Sequence, residues 1–321
     1  MAKCPAAGSW GDGMKVIPAF AAVDWGMTTF RLWLMSREGA VAGEARSGEG
    51  LLAIGRDGFA PTLERHLAEL GATENLPVII SGSAGARQGW IEAGYLTTPA
   101  PVGNLADHAM RVPDAARPVI ILPGIATMSP DGPDVMRGEE TQLFGALLEV
   151  HGEGRYCLPG THSKWVVMEG MTLRNFQSYM TGELFALLAE RSILSHSVSA
   201  HAPVQGNDPA FVNGVRDGWA NPARISHLLF SIRAAHLLHH RPAAESRARL
   251  SGLLIGAEIA GAGIAGGEEV ALVSSGTLGQ LYQAALTVCG AKVRPIDSEI
   301  AVQRGLFEAW RMLEGELTAP S

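Results

Sequence analysis

The chain has 321 residues, 47% of them apolar and 18% charged, with a formal net charge of −7. That length exceeds one ordinary hydrophobic core and predicts two domains with a cleft between them, while the acidic balance argues against a nucleic-acid or anionic-membrane surface, which would select a basic face. Cys4, Cys157 and Cys289 lie far apart without CxxC or Cys/His spacing, so reduced thiols are expected and a zinc site is not.

Residues 1–15 have no continuous apolar core or cleavage pattern and read as a loose tail, with Met14 an alternative start. Pro18–Val23, Phe30–Met35 and Ala40–Arg46 then predict three short strands in an antiparallel meander. The turn between the first two reads Asp24-Trp25-Gly26-Met27-Thr28-Thr29-Phe30-Arg31. An Asp at a strand end holds Mg²⁺ through water and a Gly lets backbone N–H groups approach phosphate oxygens, although the same residues also suit an ordinary hairpin. Leu63, Leu67 and Leu70 recur at helical spacing after Pro61, and Val78–Ile80 is strand-like. The loop that follows, Ser81 to Trp90, is rich in small residues at a strand's carboxyl end, where open α/β sheets bind ligands, and Arg87 is suited to fork onto a carboxylate.

Val119–Leu122 predicts a further buried strand, and Leu143, Leu147 and Val150 give one apolar face to a helix after Gly138. Ahead of that helix stands Arg137-Gly138-Glu139-Glu140-Thr141-Gln142. Acids at a helix start complement its dipole, and a carboxylate here would also serve to take a proton from an acceptor hydroxyl. From Arg155 the programme restarts, with strands at Arg155–Leu158, Trp165–Met168 and Thr172–Gln177 and helices from Thr181. Its first turn, Leu158-Pro159-Gly160-Thr161-His162-Ser163-Lys164-Trp165, supplies a Gly, two hydroxyls and a Lys at the position corresponding to the first hairpin. Two such turns facing each other would clamp a triphosphate, although no Walker A loop is present. The apolar run Leu253 to Ile264 contains Glu258 and is too short for a membrane span, so a buried helix is expected over Ser251–Gly261, while His236, His239 and His240 read as a solvated face. Finally come a strand at Val270–Val273, the motif Ser274-Ser275-Gly276-Thr277-Leu278-Gly279 as an adenosine seat, a helix carrying Leu278, Leu281 and Ala285, and a terminal helix over Ile300 to Leu313.

Five of these blocks, DWG with FRLW at 24–33, GARQGW at 85–90, VMRGEETQLFGAL at 135–147, LPGTHSKW at 158–165 and YMTGELFALL at 179–188, resemble the 2-dehydro-3-deoxygalactonokinase family of the sugar-kinase, Hsp70 and actin superfamily. The resemblance covers nearly all of the chain after Pro18. It implies a two-lobed α/β fold, actin-like and ribonuclease H-like, with lobes at 16–150 and 151–321, each a mixed sheet flanked by helices, and the site in the cleft between them. It implies ATP with Mg²⁺, and 2-dehydro-3-deoxy-D-galactonate as the acceptor, phosphorylated at its terminal hydroxyl in galactonate breakdown. By the same resemblance Asp24 is the metal residue; Gly26, Thr28, Gly160, Thr161, Lys164 and Gly276 bind ATP; and Ser83, Gly85, Arg87 and Gln88 bind the acceptor.

A looser similarity to glycerol-kinase-like enzymes puts the base at Glu139, with Glu140 as the alternative. The chain departs from the family pattern at Met27, where a Thr or Ser usually follows DWG, leaving Thr28 as the nearest hydroxyl, and at Ser81 and Ser83. A cytoplasmic protein acting on small molecules is expected, with its oligomeric state open. The alternatives are a kinase for another sugar acid or a polyol, and a catalytically silent nucleotide-dependent sensor.

Overall fold

The computed structural model describes residues 16–129, 132–149 and 152–317. The expected tail at 1–15 and Val150 lie outside the described residues. In chain order the elements are β1 (Phe20–Trp25), β2 (Phe30–Met35), β3 (Val41–Ser47), α1 (Leu51–Ile54), α2 (Phe59–Glu69), β4 (Val78–Gly82), β5 (Tyr95–Thr97), β6 (Ala100–Pro101), β7 (Met110–Arg111), β8 (Val119–Ile121), β9 (Gly124–Thr127), β10 (Asp134–Met136) and α3 (Glu139–Glu149). After these come β11 (Gly154–Leu158), β12 (Ser163–Glu169), β13 (Thr172–Tyr179), α4 (Thr181–Arg191), α5 (Pro209–Ala220), α6 (Ile225–His239), α7 (Ala243–Gly261), β14 (Glu269–Val273), α8 (Gly276–Val288), β15 (Lys292–Ile296) and α9 (Ser298–Leu317).

Two six-stranded sheets carry the architecture, ordered β3-β2-β1-β4-β8-β7 and β15-β14-β11-β12-β13-β6, beside a small sheet β10-β9-β5. In the first, β1, β2 and β3 form an antiparallel meander while β4 and β8 add in parallel on the other side of β1. The second repeats this plan: β11, β12 and β13 form the meander, and β14 and β15 add in parallel beside β11. A meander of three followed by two parallel strands is the ribonuclease H-like plan, and its repetition makes this an actin-like α/β fold.

Every residue of β1 is buried, which explains why the strand reads as an apolar run rather than an alternation. Ala21, Val23 and Trp25 pack towards Leu63 and Leu67 of α2. Phe20 and Ala22 point the other way, against Val302, Leu306 and Trp310 of α9. By contrast β3, at the sheet edge, carries Glu44 and Arg46 outward, a polar edge that discourages pairing with another chain.

Packing crosses residue 150 in both directions. Helix α3 sets Leu143, Phe144 and Leu147 against Tyr156, Leu158 and Val166 of the second sheet, whereas α9, last in the chain, covers the first. The two helices touch where Gly145 meets the Ala301 carbonyl and Gly305 meets the Thr141 carbonyl, with no room for a Cβ at either. Helices α5 and α7 cross in the same way through Gly214, Gly218, Gly252 and Gly256.

The structure differs from the sequence expectation at several minor elements. Helix α7 begins at Ala243 rather than Ser251, because its first two turns carry Glu245, Arg247 and Arg249 and show no apolar run. Strand β15, with Pro295 and two cations, lies on an edge where a missing ladder donor is tolerated. The short strands β5, β6, β7, β9 and β10 have too few residues to display a period. Among the described residues no helix is long and apolar enough to cross a membrane.

Candidate active site

The first turn joins β1 to β2. Asp24 opposes Arg31 across the antiparallel pair, and the Arg31 guanidinium donates to Asp24 Oδ2, while no described residue engages Oδ1. Gly26 N–H closes the turn on the Thr29 carbonyl at 2.8 Å, and Met27, Thr28 and Thr29 are exposed. From behind, the N–H groups of Leu51 and Leu52 donate to the carbonyls of Gly26 and Met27 at 3.2 and 3.0 Å. The turn is therefore held through its carbonyls, and the exposed edge carries the Thr28 hydroxyl.

Strand β4 lies parallel to β1 and brings the small-residue loop beside that turn. Ser83 Oγ donates to the carbonyls of Trp25 and Gly26 at 2.7 Å each, so this hydroxyl ties the loop to the hairpin. Gly82, at φ 98°, lies so close that a Cβ would stand 2.5 Å from the Trp25 carbonyl oxygen. Gly85 is buried, and Arg87 and Gln88 are exposed. Gly138, at φ 110°, packs against Gly82 and brings the start of α3 to the same place.

The two adjacent acids there separate. Glu140 is fully buried; both of its oxygens accept the Gly138 N–H at 2.8 Å, and Oε1 also accepts from Thr141 Oγ1 at 3.3 Å. Ser81 Oγ extends this network by donating to Thr141 Oγ1 at 2.8 Å. Burial first, and the Glu139 charge second, push the Glu140 carboxyl up to about 7. Glu139 instead keeps a side chain 24% exposed. Its Oε2 accepts the Arg137 N–H at 3.0 Å, and its Oε1 lies 3.4 Å from Lys164 Nζ.

Lys164, the second residue of β12, follows the second turn and pairs with Leu158 of β11. It is 4% exposed, and its Nζ also lies 3.4 Å from the His162 carbonyl. The ion pair with Glu139 thus joins residues carried by the two halves of the chain. Thr161 and His162 are exposed, Gly160 is half-buried, and the N-terminal turn of α4 props them. Glu183 N–H donates to the Thr161 carbonyl at 3.0 Å, His162 Nε2 lies 2.5 Å from Glu183 Oε2, and a Cβ on Gly182 would stand 2.5 Å from the Gly160 oxygen.

Behind the second turn lies a buried polar network that motif reading did not find. Glu258 accepts from Trp165 Nε1 at 2.8 Å and from Tyr282 OH at 2.7 Å, and Tyr282 OH is 2.8 Å from Ser163 Oγ. Desolvation raises the Glu258 carboxyl and the Tyr282 phenol alike. Beside the network opens a cavity of about 400 Å³ lined by Gly160, Gly182, Arg247, Leu254, Thr277 and Leu278, among others. Gly276, which precedes the lining residue Thr277, stands exposed at φ 67° with open space where a Cβ would stand. The cavity walls come from α4, α7, α8 and the segment 201–204, which are distant in sequence, and the Gly160 turn and the motif around Thr277 are the parts of it that motif reading singled out.

The structure thus brings Asp24, Gly26, Ser83, Gly85, Glu139 and Lys164 into one continuous region, and it sets Gly160 and Thr277 around the cavity next to it. Arg87 and Gln88 remain at the outer side of the loop. Arg137, given no role from sequence, lies inside the region against Gly85. Among the described residues no three His, Cys, Asp or Glu side chains group to hold a metal ion. One carboxylate such as Asp24 still suffices for Mg²⁺ that keeps its waters and takes its other ligands from phosphates.

The family model for 2-keto-3-deoxy-galactonokinase matches residues 24–309. A protein of Rhizobium meliloti (strain 1021), named as a probable 2-dehydro-3-deoxygalactonokinase, is 48% identical over 92% of this chain and 97% of its own length. The Escherichia coli (strain K12) 2-dehydro-3-deoxygalactonokinase is 34% identical over 89% of this chain and 96% of its own. A crystal structure from Sinorhizobium meliloti, provisionally given the same enzyme name, superposes with a TM-score of 0.88 at 47% identity, covering 92% of this chain and 96% of that one.

Proposed function

Because the chain belongs to the 2-keto-3-deoxy-galactonokinase family, we propose that it transfers the γ-phosphoryl group of ATP to the terminal hydroxyl of 2-dehydro-3-deoxy-D-galactonate. The observation that carries the reading is the Glu139–Lys164 pair, a carboxylate and an ammonium 3.4 Å apart, which joins the start of α3, packed beside the first turn through Gly138 and Gly82, to the second turn.

Each half of the pair has a part in phosphoryl transfer, which rests on positioning and charge stabilisation more than on covalent chemistry. Lys164, together with the Gly26, Thr28, Gly160 and Thr161 edges, binds the phosphates. The nucleoside occupies the cavity beside Gly160, with Gly276 and Thr277 at its mouth. The acceptor lies on the other side of Glu139, bordered by Gly85, Arg87 and Gln88, while Ser83 holds the loop against the hairpin. As the acceptor oxygen bonds to the γ-phosphorus and ADP leaves, Glu139 takes the hydroxyl proton. When ATP arrives, its γ-phosphate competes for Lys164 and releases the Glu139 carboxylate for that task. Glu140 is unsuited to it, being buried and committed to the Gly138 N–H. Asp24, with Oδ1 unengaged by described residues, would hold Mg²⁺ through water, and the ion would neutralise charge building between the β- and γ-phosphates.

We place the lobe division at 16–150 and 151–321, with α9 returned to the first sheet, and the protein in the cytoplasm with these two small molecules as its partners. An ATP-consumption screen over 2-keto-3-deoxy sugar acids and common polyols tests the reading. The galactonate derivative should be the best acceptor, and a preference for an uncharged polyol, or no acceptor at all, would refute it.

A further inference from the structure

We infer that Arg137 is the residue that recognises the carboxylate of the acceptor; this rests on the reading above that the acceptor is a sugar acid. Three observations converge on it. The first is position: Arg137 lies two residues before Glu139, whose Oε2 accepts its N–H at 3.0 Å. Its side chain reaches back to the loop after β4, where a Cβ on Gly85 would stand 2.7 Å from Nη1. Gly85 is thus the residue whose lack of a side chain makes room for the guanidinium.

The second is charge. Arg31, Arg46, Arg65, Arg117 and Arg249 each meet a carboxylate, but among the described residues none lies within ion-pair distance of Arg137. The guanidinium donates to the Gly94 carbonyl at 2.8 Å and the Ala93 carbonyl at 3.5 Å and lies 4.4 Å over the Tyr95 ring. All three partners are neutral. Glu140 senses the Arg137 charge but turns both oxygens to Gly138. An Arg is always charged, so this one keeps its charge without an ion-pair partner among the described residues, in a protein whose net charge of −7 repels an anionic substrate.

The third is unfilled donor capacity. Arg137 Nε is buried without a partner, and a planar fork held by an aromatic face and two carbonyls is pre-organised to receive a carboxylate. With the carboxylate end anchored there, the far hydroxyl of the acid falls towards Glu139 and the phosphate turns. Arg87, exposed and without a partner among the described residues, lacks such an anchor.

Steady-state kinetics of Arg137→Gln and Arg137→Lys, with the keto-deoxy acid and with its uncharged methyl ester, test the assignment. Arg137→Gln should raise the KM for the acid about 10²- to 10³-fold, leave the KM for ATP in place and erase the preference for acid over ester. Arg137→Lys keeps the charge but loses the fork, so it should fall between and retain part of that preference; it decides the matter if the Gln variant does not fold. An unchanged KM for the acid, an equal loss for acid and ester, or transfer of the whole discrimination to Arg87→Gln would each overturn the assignment. Wild-type protein that phosphorylates no keto-deoxy acid would instead overturn the acceptor reading beneath it.

Discussion

Glu139 and Glu140 are chemically identical neighbours in opposite surroundings, one partly exposed and one buried. Glu139 keeps water on one side and Lys164 on the other, so Glu139→Gln should preserve shape while removing the proton acceptor. We expect kcat to fall roughly 10²- to 10⁴-fold, with ATP affinity by calorimetry nearly unchanged; an active Gln variant would leave the base elsewhere. Glu140 makes a different prediction. Its folded value of about 7 stands above the ordinary 4.5, so between those values the native state holds a proton that the unfolded chain has released. Stability should therefore fall as pH rises from about 4.5 to 7 and then level, with up to about 3 kcal/mol at stake. Glu140→Gln cannot ionise and should flatten that part of the melting-temperature profile. If the slope persists in the variant, another group causes it.

At the scale of elements, the second turn is held in place by α4. The helix N-terminus lies against Gly160 and Thr161 because Gly182 has no Cβ to hold them apart. Gly182→Ala should improve helix propensity in isolation, yet it forces a methyl group into the Gly160 carbonyl and moves the turn. The expected signature is a KM for ATP raised about tenfold, equivalent to about 1.4 kcal/mol of binding, with the KM for the acceptor unchanged. A variant with wild-type ATP kinetics would show that the turn tolerates displacement. The Glu258 network supports the same turn from the opposite side, linking β12, α7 and α8 through one buried carboxylate. Such a group is retained only while its partners are, since losing one leaves buried charge unsatisfied.

For the molecule as a whole, the proposed nucleotide site draws on both sheets. A non-hydrolysable ATP analogue with Mg²⁺ should therefore stabilise the entire chain by mass action, by about 2.7 kcal/mol at a hundredfold excess over its Kd. Lys164→Met should abolish most of that gain in melting temperature at the same ligand concentration, because the ammonium facing the phosphates is gone. Equal gains in wild type and variant would remove Lys164 from the phosphate site.

Much of this protein was legible from local pattern. Both meanders, the parallel strands β4, β8 and β14, and the principal helices announce themselves, because buried strands need apolar runs and tight turns need Gly, and both demands are met within a few residues. The two Gly/Thr turns are legible for the same reason, since each is one continuous segment. What only the tertiary structure decided lies between segments. Whether Glu139 or Glu140 faces the cleft depends on the rotation of α3 against Gly82. That α9 covers the first sheet while α3 packs on the second follows from glycine contacts between residues some 160 positions apart, Gly145 and Gly305. The cavity beside Gly160 is walled by three helices and the segment 201–204, whose facing side chains share no sequence period. In sequence Arg137 is one more charge before a helix; its lack of an ion-pair partner among the described residues is a property of space, because electrostatic compensation depends on distance between side chains and not on their order along the chain.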